Sequence, residues 1–422
     1  MLFLFPGLQV RRIFKGEEMK KTVFFLFWLV FCLPFFLFAQ HFNTPPLLAS
    51  YVTNQPEINS KAAVLVDAET GALLYSKNPN EEIPPASLTK LMTMHLVMRE
   101  IEEGRASYDE IIPITIESWA QSQPPRSSLM FLAPGQTVTL REIMLGLAIP
   151  SGNDAAVAAA LRVAPTMNEF AALMTAEGRR MGLNVTRFVE SSGISENNIT
   201  TAEEFAWFCR QYIELHPQSL KQFHSVESFS YPTANNVAAA YRDNPRTITQ
   251  ENRNNLLRTF PGVDGLKTGY IDESGYNIAV TAQRDNTRFI SVTLGAENSR
   301  RRDADNFLLL TWAFENFKTV RPVIENIPKE RLYKGKENIA DFTLAYPADF
   351  TSPAGRANSL KYETVIDSPL IAPLPEGTEV GYILISDDSG ELNRVPLITA
   401  RSYEKGNVFK RIWHSILLFF RR

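Results

Sequence analysis

Short apolar runs that are typical of β-strands lie at both ends of the first 320 residues, and helical patterns fill the middle. Residues 62–66 and 72–75 are joined by the polar sequence Asp-Ala-Glu-Thr-Gly, which predicts a hairpin. Similar runs return at residues 265–270, 276–282 and 289–294. We therefore expect an α/β fold in which one mixed antiparallel sheet is built from both ends and interrupted by a helical insertion.

The segment between these two groups of strands carries apolar residues at helical spacing. A further helical pattern follows the last strand. The predicted helices cover residues 88–103, 140–147, 154–163, 167–181, 202–215 and 304–317. Past Pro322, short alternating runs separated by prolines replace the helices, which predicts a small all-β domain. We expect the first domain to span residues 43–320 and the β-rich domain to span residues 323–402.

An unbroken apolar stretch of 17 residues covers positions 23–39, and Lys20 and Lys21 stand directly before it. This is the pattern of a secretory signal peptide. Met19 opens a Met-Lys-Lys sequence that is typical of the charged start of such a segment. Translation can therefore begin at Met19, in which case residues 1–18 lie upstream of the true start. We expect residues 1–39 to be removed after Ala39. The alternative is an uncleaved anchor helix, because the stretch reaches only the lower limit of a membrane span. Both alternatives export the remainder of the chain.

Residues 404–422 carry a basic amphipathic pattern in which apolar residues recur every four positions. The apolar positions are Val408, Ile412, Ile416 and Phe420, and the polar positions opposite them are Lys410, Arg411, His414 and Ser415. A helix of about 15 residues is about 22 Å long, short of the roughly 30 Å hydrocarbon core of a bilayer. We expect it to lie at the membrane surface as a peripheral anchor. The alternative is a helix that packs on the protein's own core.

Composition excludes several classes of protein. A net charge of −3 argues against a strongly basic nucleic-acid binder, and 45% hydrophobic residues argue against a disordered chain. The charge is uneven: residues 1–39 carry net +3 and residues 404–422 net +4, which leaves −10 on the body of the chain. The two cysteines and five histidines form no tight cluster, so we expect neither a metal site nor a cofactor.

Three short motifs carry the chemistry. The first, Pro-Ala-Ser-Leu-Thr-Lys, places Ser87 where a helix begins and Lys90 three residues later on the same helical face. A serine hydroxyl is a weak nucleophile until a base removes its proton. A lysine can be that base when burial, the helix dipole or a second lysine depresses its pKa. Alone, however, the pair is also what a capping serine and a surface lysine look like.

The second motif is Ser151-Gly152-Asn153, in a turn between two predicted helices, and the third is Lys267-Thr268-Gly269, on a predicted strand. Ser151 can relay a proton, and the Asn153 amide can hold both a lysine and a substrate carbonyl. Lys267 would add positive charge near the nucleophile, Thr268 a hydrogen bond to a substrate carboxylate, and Gly269 room for close backbone approach. Each motif alone could be an ordinary loop or turn.

Together, in this order and on these elements, the three motifs resemble those of the low-molecular-weight penicillin-binding proteins, the D-alanyl-D-alanine carboxypeptidases. The resemblance covers nearly all of residues 43–402 and includes the exported location, the β-rich domain and the basic amphipathic tail. The similar segments are residues 85–93, 127–135, 149–156, 262–277 and 311–312. The fold that this resemblance implies is that of the β-lactamases and transpeptidases.

The resemblance implies a serine-type carboxypeptidase that removes the terminal D-alanine from peptidoglycan pentapeptides through an acyl-enzyme on Ser87, and that β-lactams acylate. Lys90 would be the general base, Ser151 would shuttle the proton, and Asn153 and Lys267 would position and polarise. The backbone N–H groups of Ser87 and Tyr270 would form the oxyanion hole. Arg302 stands where the family has an arginine near the substrate carboxylate, although Arg300 and Arg301 are adjacent.

Three positions depart from the family pattern: Ile199 replaces a histidine, Glu204 an aspartate and Tyr270 a frequent histidine. They leave the three motifs intact and bear on the deacylation rate and the side-chain preference. Alternatives stay open for an endopeptidase that cuts peptidoglycan cross-links, and for a catalytically silent peptidoglycan-binding protein. A class A β-lactamase is disfavoured because no Glu-x-x-Leu-Asn sequence occurs between the second and third motifs.

Overall fold

A computed structural model describes residues 42–51 and 54–420, so the signal peptide expected over residues 1–39 lies outside the described residues. The strands are β1 (Ala62–Asp67), β2 (Leu73–Lys77), β3 (Ile111–Ile112), β4 (Val138–Thr139), β5 (Ser228–Tyr231), β6 (Ile248–Glu251), β7 (Val263–Ile271), β8 (Gly275–Arg284), β9 (Thr287–Ala296), β10 (Phe317–Val320), β11 (Glu330–Tyr333), β12 (Ile339–Ala340), β13 (Phe342–Leu344), β14 (Phe350–Pro353), β15 (Lys361–Ile366), β16 (Leu370–Ile371), β17 (Glu379–Asp387) and β18 (Gly390–Thr399). The longer helices are α1 (Lys90–Glu102), α2 (Leu140–Ala148), α3 (Asn153–Val163), α4 (Met167–Arg180), α5 (Ala202–Leu215), α6 (Ser299–Asn316) and α7 (Val408–Phe419). Short helical turns cover Ala86–Thr89, Ala120–Ser122, Pro217–Ser219, Leu220–His224, Ala239–Tyr241 and Leu256–Thr259.

The main sheet has five strands in the order β2-β1-β9-β8-β7, and every neighbouring pair is antiparallel. Strands from before and after the helical insertion therefore share one sheet, which confirms the predicted fold class. The first strand of this sheet after the insertion is β7, the edge strand that carries the third motif. The sheet thus brings the second half of the chain beside the start of α1.

The sheet is buried on both faces, and β1 shows how the sequence achieves this. Val64 and Val66 pack with the helical insertion, whereas Ala63 and Leu65 pack in a second cluster under α6. A strand that is covered on both sides needs apolar residues at every position, which explains the continuous run in the sequence. Two separate cores therefore hold the sheet rigid between α6 and the other helices.

Two parts of the predicted secondary structure were wrong. Helix α6 begins at Ser299 and not five residues later, because Asn298 caps it by accepting from the backbone N–H of Arg301, and its first turn is too polar for an apolar pattern to reveal. The β3–β4 and β5–β6 pairs were not predicted, because their strands are only two to four residues long and those of the second pair are largely exposed. The other predicted helices and strands of this part are present with small shifts at their ends.

Beyond α6 the chain is β-rich, as predicted. A four-stranded sheet has the order β13-β18-β17-β15, and a three-stranded sheet has the order β12-β11-β16. The three longest of these strands match the predicted runs, whereas strands of two to four residues left no readable pattern. Asp67 connects the two parts, because its buried carboxylate accepts hydrogen bonds from the hydroxyls of Thr319 (2.7 Å) and Thr351 (2.9 Å).

Helix α7 contacts the β-rich part through its polar side. The Nδ1 atom of His414 accepts from the backbone N–H of Lys334 (2.7 Å), and Lys410 Nζ donates to the carbonyl of Lys336 (2.7 Å). His414 is buried, whereas Phe409 is 85% and Trp413 59% exposed. The helix does pack on the protein, but it does so through its polar face and leaves its apolar face exposed. Within residues 42–51 and 54–420, no helix is both long and apolar enough to cross a membrane.

Candidate active site

Ser87 lies in the short helical turn Ala86–Thr89, immediately before α1. Ala86 adopts a left-handed conformation, with φ of +51°, which turns the chain sharply into the helix. Lys90 is the first residue of α1, and its Nζ atom lies 3.0 Å from Ser87 Oγ. The spacing of three residues therefore does bring the amine to the hydroxyl, as predicted.

The amine of Lys90 is fully buried and held by three oxygen atoms. Besides Ser87 Oγ, these are the Oδ1 of Asn153 at 2.8 Å and the carbonyl oxygen of Ser192 at 2.6 Å. Burial lowers the pKa of Lys90 from 10.5 to about 7, although the negative charges of Glu190 and Asp154 oppose the shift. Near neutral pH a large share of this amine is uncharged and able to accept a proton.

The second motif forms the turn between α2 and α3. Ser151 has φ of +64°, and its buried hydroxyl has no hydrogen-bond partner within the described part of the chain. Asn153 begins α3, and its Nδ2 donates to the hydroxyl of Ser127 (3.2 Å). The buried carboxylate of Asp154 accepts from backbone N–H groups at residues 130 and 132, which ties the preceding segment to this turn.

The third motif lies on β7, which confirms the predicted strand. Lys267 is buried, and its Nζ donates to the carbonyl of Thr268 (3.0 Å). Burial lowers the pKa of Lys267 well below its usual value, and the nearby charges of Lys90, Arg253 and Arg302 lower it further. The charge of Lys90 thus disfavours the charged form of Lys267, whereas the cation that lowers the pKa of Lys90 itself is Arg253.

A cleft of about 710 Å³ joins the three motifs. Its walls include seven of the predicted site residues: Ser87, Ser151, Asn153, Thr268, Gly269, Tyr270 and Arg302. The two remaining ones, Lys90 and Lys267, are buried behind this lining. Arg302 is 5% exposed and pairs with Asp303 (2.7 Å), whereas Arg300 and Arg301 are exposed on the helix surface. Of the three adjacent arginines, Arg302 is thus the one that the fold turns into the cleft.

Two of the three departures from the family pattern, Tyr270 and Glu204, have local structural explanations. Tyr270 is half-exposed at the cleft, where its ring packs 4.3 Å from that of Tyr276 and its hydroxyl donates to Asp272. Glu204 accepts from three consecutive backbone N–H groups at residues 184–186 and from the hydroxyl of Thr186. Its carboxylate therefore holds a loop and stays away from the cleft.

Two residues of the site were not found in the sequence. The side chain of Arg253 lines the cleft, and its Nε donates to the carbonyl of Pro150 (3.2 Å). Glu190 lies on the loop that supplies a carbonyl to Lys90. Neither belongs to a short motif, because each reaches the site only through tertiary structure. Among the described residues, no group of three or more His, Cys, Asp or Glu side chains is arranged to hold a metal ion.

A serine and a lysine in contact, joined by a serine, an asparagine and a second lysine around one cleft, define an acyl-transferring serine peptidase of the penicillin-binding class. The D-alanyl-D-alanine carboxypeptidase family matches residues 49–298, and the C-terminal domain of penicillin-binding protein 5 matches residues 317–405. The chain belongs to the D-alanyl-D-alanine carboxypeptidase family.

Individual relatives support this family membership. The D-alanyl-D-alanine carboxypeptidase DacC of Escherichia coli is 30% identical over 91% of this chain and 93% of its own. DacD of Salmonella typhimurium is 34% identical over 89% of this chain and 95% of its own. The crystal structures of penicillin-binding protein 5 from Haemophilus influenzae include a chain that is 29% identical, with a TM-score of 0.74, over 83% of this chain and 99% of that one.

Proposed function

We propose that this protein is a serine-type D-Ala-D-Ala carboxypeptidase that removes the terminal D-alanine from peptidoglycan pentapeptides through an acyl-enzyme on Ser87. One observation carries the proposal: the hydroxyl of Ser87 lies 3.0 Å from a buried lysine amine whose pKa is lowered to about 7. Such an amine can take the serine proton near neutral pH. The D-alanyl-D-alanine carboxypeptidases among its relatives support the choice of substrate.

In the acylation step, Ser87 Oγ attacks the carbonyl carbon of the penultimate D-alanine while its proton moves to Lys90 Nζ. The negative charge that develops on the carbonyl oxygen is stabilised by the backbone N–H groups of Ser87 and Tyr270. The C–N bond then breaks, and the leaving D-alanine takes up the proton through Ser151, whose hydroxyl has no other partner within the described residues. Water later hydrolyses the ester and restores Ser87.

The remaining residues bind and polarise. Asn153 fixes the amine of Lys90 through its Oδ1, while its Nδ2 donates to the hydroxyl of Ser127, another residue of the cleft wall. Lys267 contributes amine N–H groups that polarise the site, Thr268 a hydroxyl for the substrate carboxylate, and Gly269 a close approach of the strand. Arg302 adds a guanidinium for the same carboxylate, since it lies in the cleft wall. A substrate with an anionic end is thus drawn to the side of the cleft that β7 forms.

The test is a mass measurement of the protein after incubation with labelled penicillin. The intact protein should gain one covalently bound label per chain, and the Ser87→Ala variant should gain none. β-Lactams are expected to acylate Ser87 because they mimic the acyl donor, and penicillin-binding protein D2 of Listeria monocytogenes, 27% identical with a TM-score of 0.53, was solved in the cefotaxime-bound form. Absence of an adduct on the intact protein would contradict the mechanism and favour a catalytically silent binding protein.

An endopeptidase of peptidoglycan cross-links is the second candidate function. A D-alanyl-D-alanine endopeptidase of Pseudomonas aeruginosa is 28% identical over 61% of this chain, which is less than the carboxypeptidases cover. A cross-linked peptide dimer and a pentapeptide, offered separately, distinguish the two. Cleavage of the dimer without release of D-alanine from the pentapeptide would favour the endopeptidase.

The proposed location is the outer face of the cytoplasmic membrane, with residues 43–320 as the catalytic domain and residues 323–402 as a β-rich spacer. Residues 1–39 would export the chain. Helix α7 would attach it, because its apolar side chains are exposed while His414 faces the protein. The neighbouring Arg411 and the terminal Arg421 and Arg422 would meet anionic lipid headgroups.

A further inference from the structure

A loop over residues 190–198 lies against the start of α1 and supplies two backbone carbonyls to it. The carbonyl of Ser192 accepts from Lys90 Nζ at 2.6 Å, and the carbonyl of Ser191 accepts from the hydroxyl of Thr93 at 2.7 Å. Ser191 and Ser192 are both buried. The position of the Lys90 amine therefore depends on the orientation of two consecutive peptide units in this loop.

The other ends of these two peptide units point to one carboxylate. Glu190 Oε2 accepts from the backbone N–H of Ser192 at 2.6 Å, and its Oε1 accepts from the backbone N–H of Gly193 at 2.7 Å. The N–H of Ser192 shares a peptide plane with the carbonyl of Ser191, and the N–H of Gly193 shares one with the carbonyl of Ser192. Because a trans peptide unit is planar and directs its N–H and C=O to opposite sides, Glu190 orients both carbonyls that α1 receives.

Side chains of the loop complete the surroundings of this carboxylate. The hydroxyl of Ser192 donates to Oε2 at 2.6 Å, and Nδ2 of Asn198 donates to Oε1 at 2.8 Å. Both oxygens of Glu190 are therefore engaged by donors from its own loop. A carboxylate with this many charge-assisted hydrogen bonds is held in one orientation and orients the groups that donate to it.

The loop is pressed tightly against the turn that carries the nucleophile. Gly193 has φ of +83°, and a β-carbon there would lie 1.8 Å from the carbonyl oxygen of Ala86 and 2.9 Å from the nitrogen of Ser87. No side chain fits at this contact. A change in the conformation of this loop should therefore displace both Lys90 and Ser87.

We propose that Glu190 is a positioning residue for acylation: it holds two peptide units of the 190–198 loop so that their carbonyls fix Lys90 and Thr93 of α1. The inference rests on the proposed function, because it assigns to Lys90 the role of base. Glu190 also contributes its charge, which opposes the lowering of the Lys90 pKa by burial. Removing that charge should therefore make the amine easier to deprotonate, while the position of the amine relative to Ser87 becomes less well fixed.

The test compares rates of acylation by a fluorescent penicillin across pH 5 to 9 in the full chain. Glu190→Gln removes the charge and sets an amide NH₂ against a backbone N–H, so acylation should slow on the order of ten- to a hundred-fold. The pH at which the rate reaches half its plateau should move downward. Glu190→Asp keeps the charge with a shorter reach, and should recover part of the lost rate with the midpoint of the intact protein. Glu196→Gln, on an exposed side chain of the same loop, is the matched control and should change nothing.

Two results would overturn the inference. One is Glu190→Gln acylating at the rate and midpoint of the intact protein. The other is a slower reaction with an unmoved midpoint, which a merely structural role would produce. If Glu190→Gln does not fold, Glu190→Asp still decides, because acylation at the full rate would contradict a positioning role. Failure of the intact protein to react at all would count against the proposed function instead, so the two failures are distinguishable.

Discussion

A β-carbon added at Gly269 would lie 3.0 Å from the backbone nitrogen of Ser87, and 2.8 Å from the carbonyl oxygen of Pro85. The edge strand β7 and the nucleophile turn are thus in backbone contact. The proposed oxyanion hole depends on this contact, since one N–H group comes from the turn and the other from Tyr270, the next residue of the strand. The glycine of the third motif is therefore explained by the space between two backbones.

The substitution Gly269→Ala should separate strand and turn. We expect acylation by penicillin to fall on the order of a hundred-fold, because a shift of about 1 Å is enough to misplace the reacting groups. Overpacking should lower the free energy of unfolding by about 1–3 kcal/mol. Acylation kinetics and urea unfolding measure the two effects. Gly355→Ala is the control, because nothing lies within 4 Å of a β-carbon there; equal acylation rates for the two variants would contradict the role of the contact.

The pH dependence of acylation should report the proton on Lys90. Because its pKa is lowered to about 7, the amine is charged and inactive well below that pH, and neutral above it. The rate should therefore rise with pH to a plateau, with a midpoint near pH 7. Lys90→Arg places a guanidinium at this position, which keeps its proton at every pH tested and cannot act as a base. The variant should therefore abolish the reaction across the range. A rate that is flat between pH 5 and 9 in the intact protein would exclude Lys90 as the base.

Acid should destabilise the fold through a buried neutral histidine. His224 contacts the hydroxyl of Tyr212 (2.8 Å) and the carbonyl of Leu266 (3.1 Å), and burial lowers its pKa from 6.5 to about 3. The unfolded chain therefore binds a proton near pH 6.5 that the folded chain refuses, so stability falls as the pH drops. Between pH 7 and 5 this group should remove about 2 kcal/mol from the free energy of unfolding.

Denaturant unfolding at several pH values tests this expectation. The variant His224→Gln should be less stable at pH 7 but should lose correspondingly less stability between pH 7 and 5. Other histidines contribute to both proteins alike, so the difference in slope belongs to His224. Equal slopes for the two proteins would show that this histidine does not control the acid response.

Membrane attachment should depend on the exposed apolar side of α7. In the chain from residue 40 onward, the double substitution Phe409→Ser and Trp413→Ser should weaken sedimentation with anionic lipid vesicles by at least about tenfold, because two large apolar side chains no longer enter the interface. Ser415→Ala, on the same helix but outside the apolar row, is the control. Acylation by penicillin should be unchanged in all three proteins. Undiminished binding by the double variant would refute the anchor.

The sequence alone was sufficient for the parts of the site that are local in the chain. Ser87 and Lys90 are three residues apart at a helix start, so their contact follows from helical geometry. The grouping of the three motifs followed from the resemblance, and the sheet order explains it: β1, which precedes α1, lies in the same sheet as β7. What could be predicted was therefore the set of reacting groups and the elements on which they lie.

The parts that could not be predicted depend on tertiary contacts. In the sequence, Glu190 is an ordinary polar loop residue, and only the tertiary structure places its loop against Lys90. Arg253 lies on a segment that shows neither a short motif nor hydrophobic periodicity. Helix α7 was predicted with the correct polar and apolar sides, but the docking of His414 on Lys334 could not be foreseen from one helix. In each case the partner is distant in the chain and polar, so periodicity carries no signal for it.

Release of D-alanine from a pentapeptide that ends in D-Ala-D-Ala tests the central claim most directly. The purified chain from residue 40 onward should liberate one free D-alanine per pentapeptide and leave a tetrapeptide, and preincubation with penicillin should stop the reaction. The Ser87→Ala variant, folded to the same extent, should liberate none. Release of D-alanine by Ser87→Ala at the rate of the intact protein, or no release by a protein that penicillin does acylate, would contradict the account.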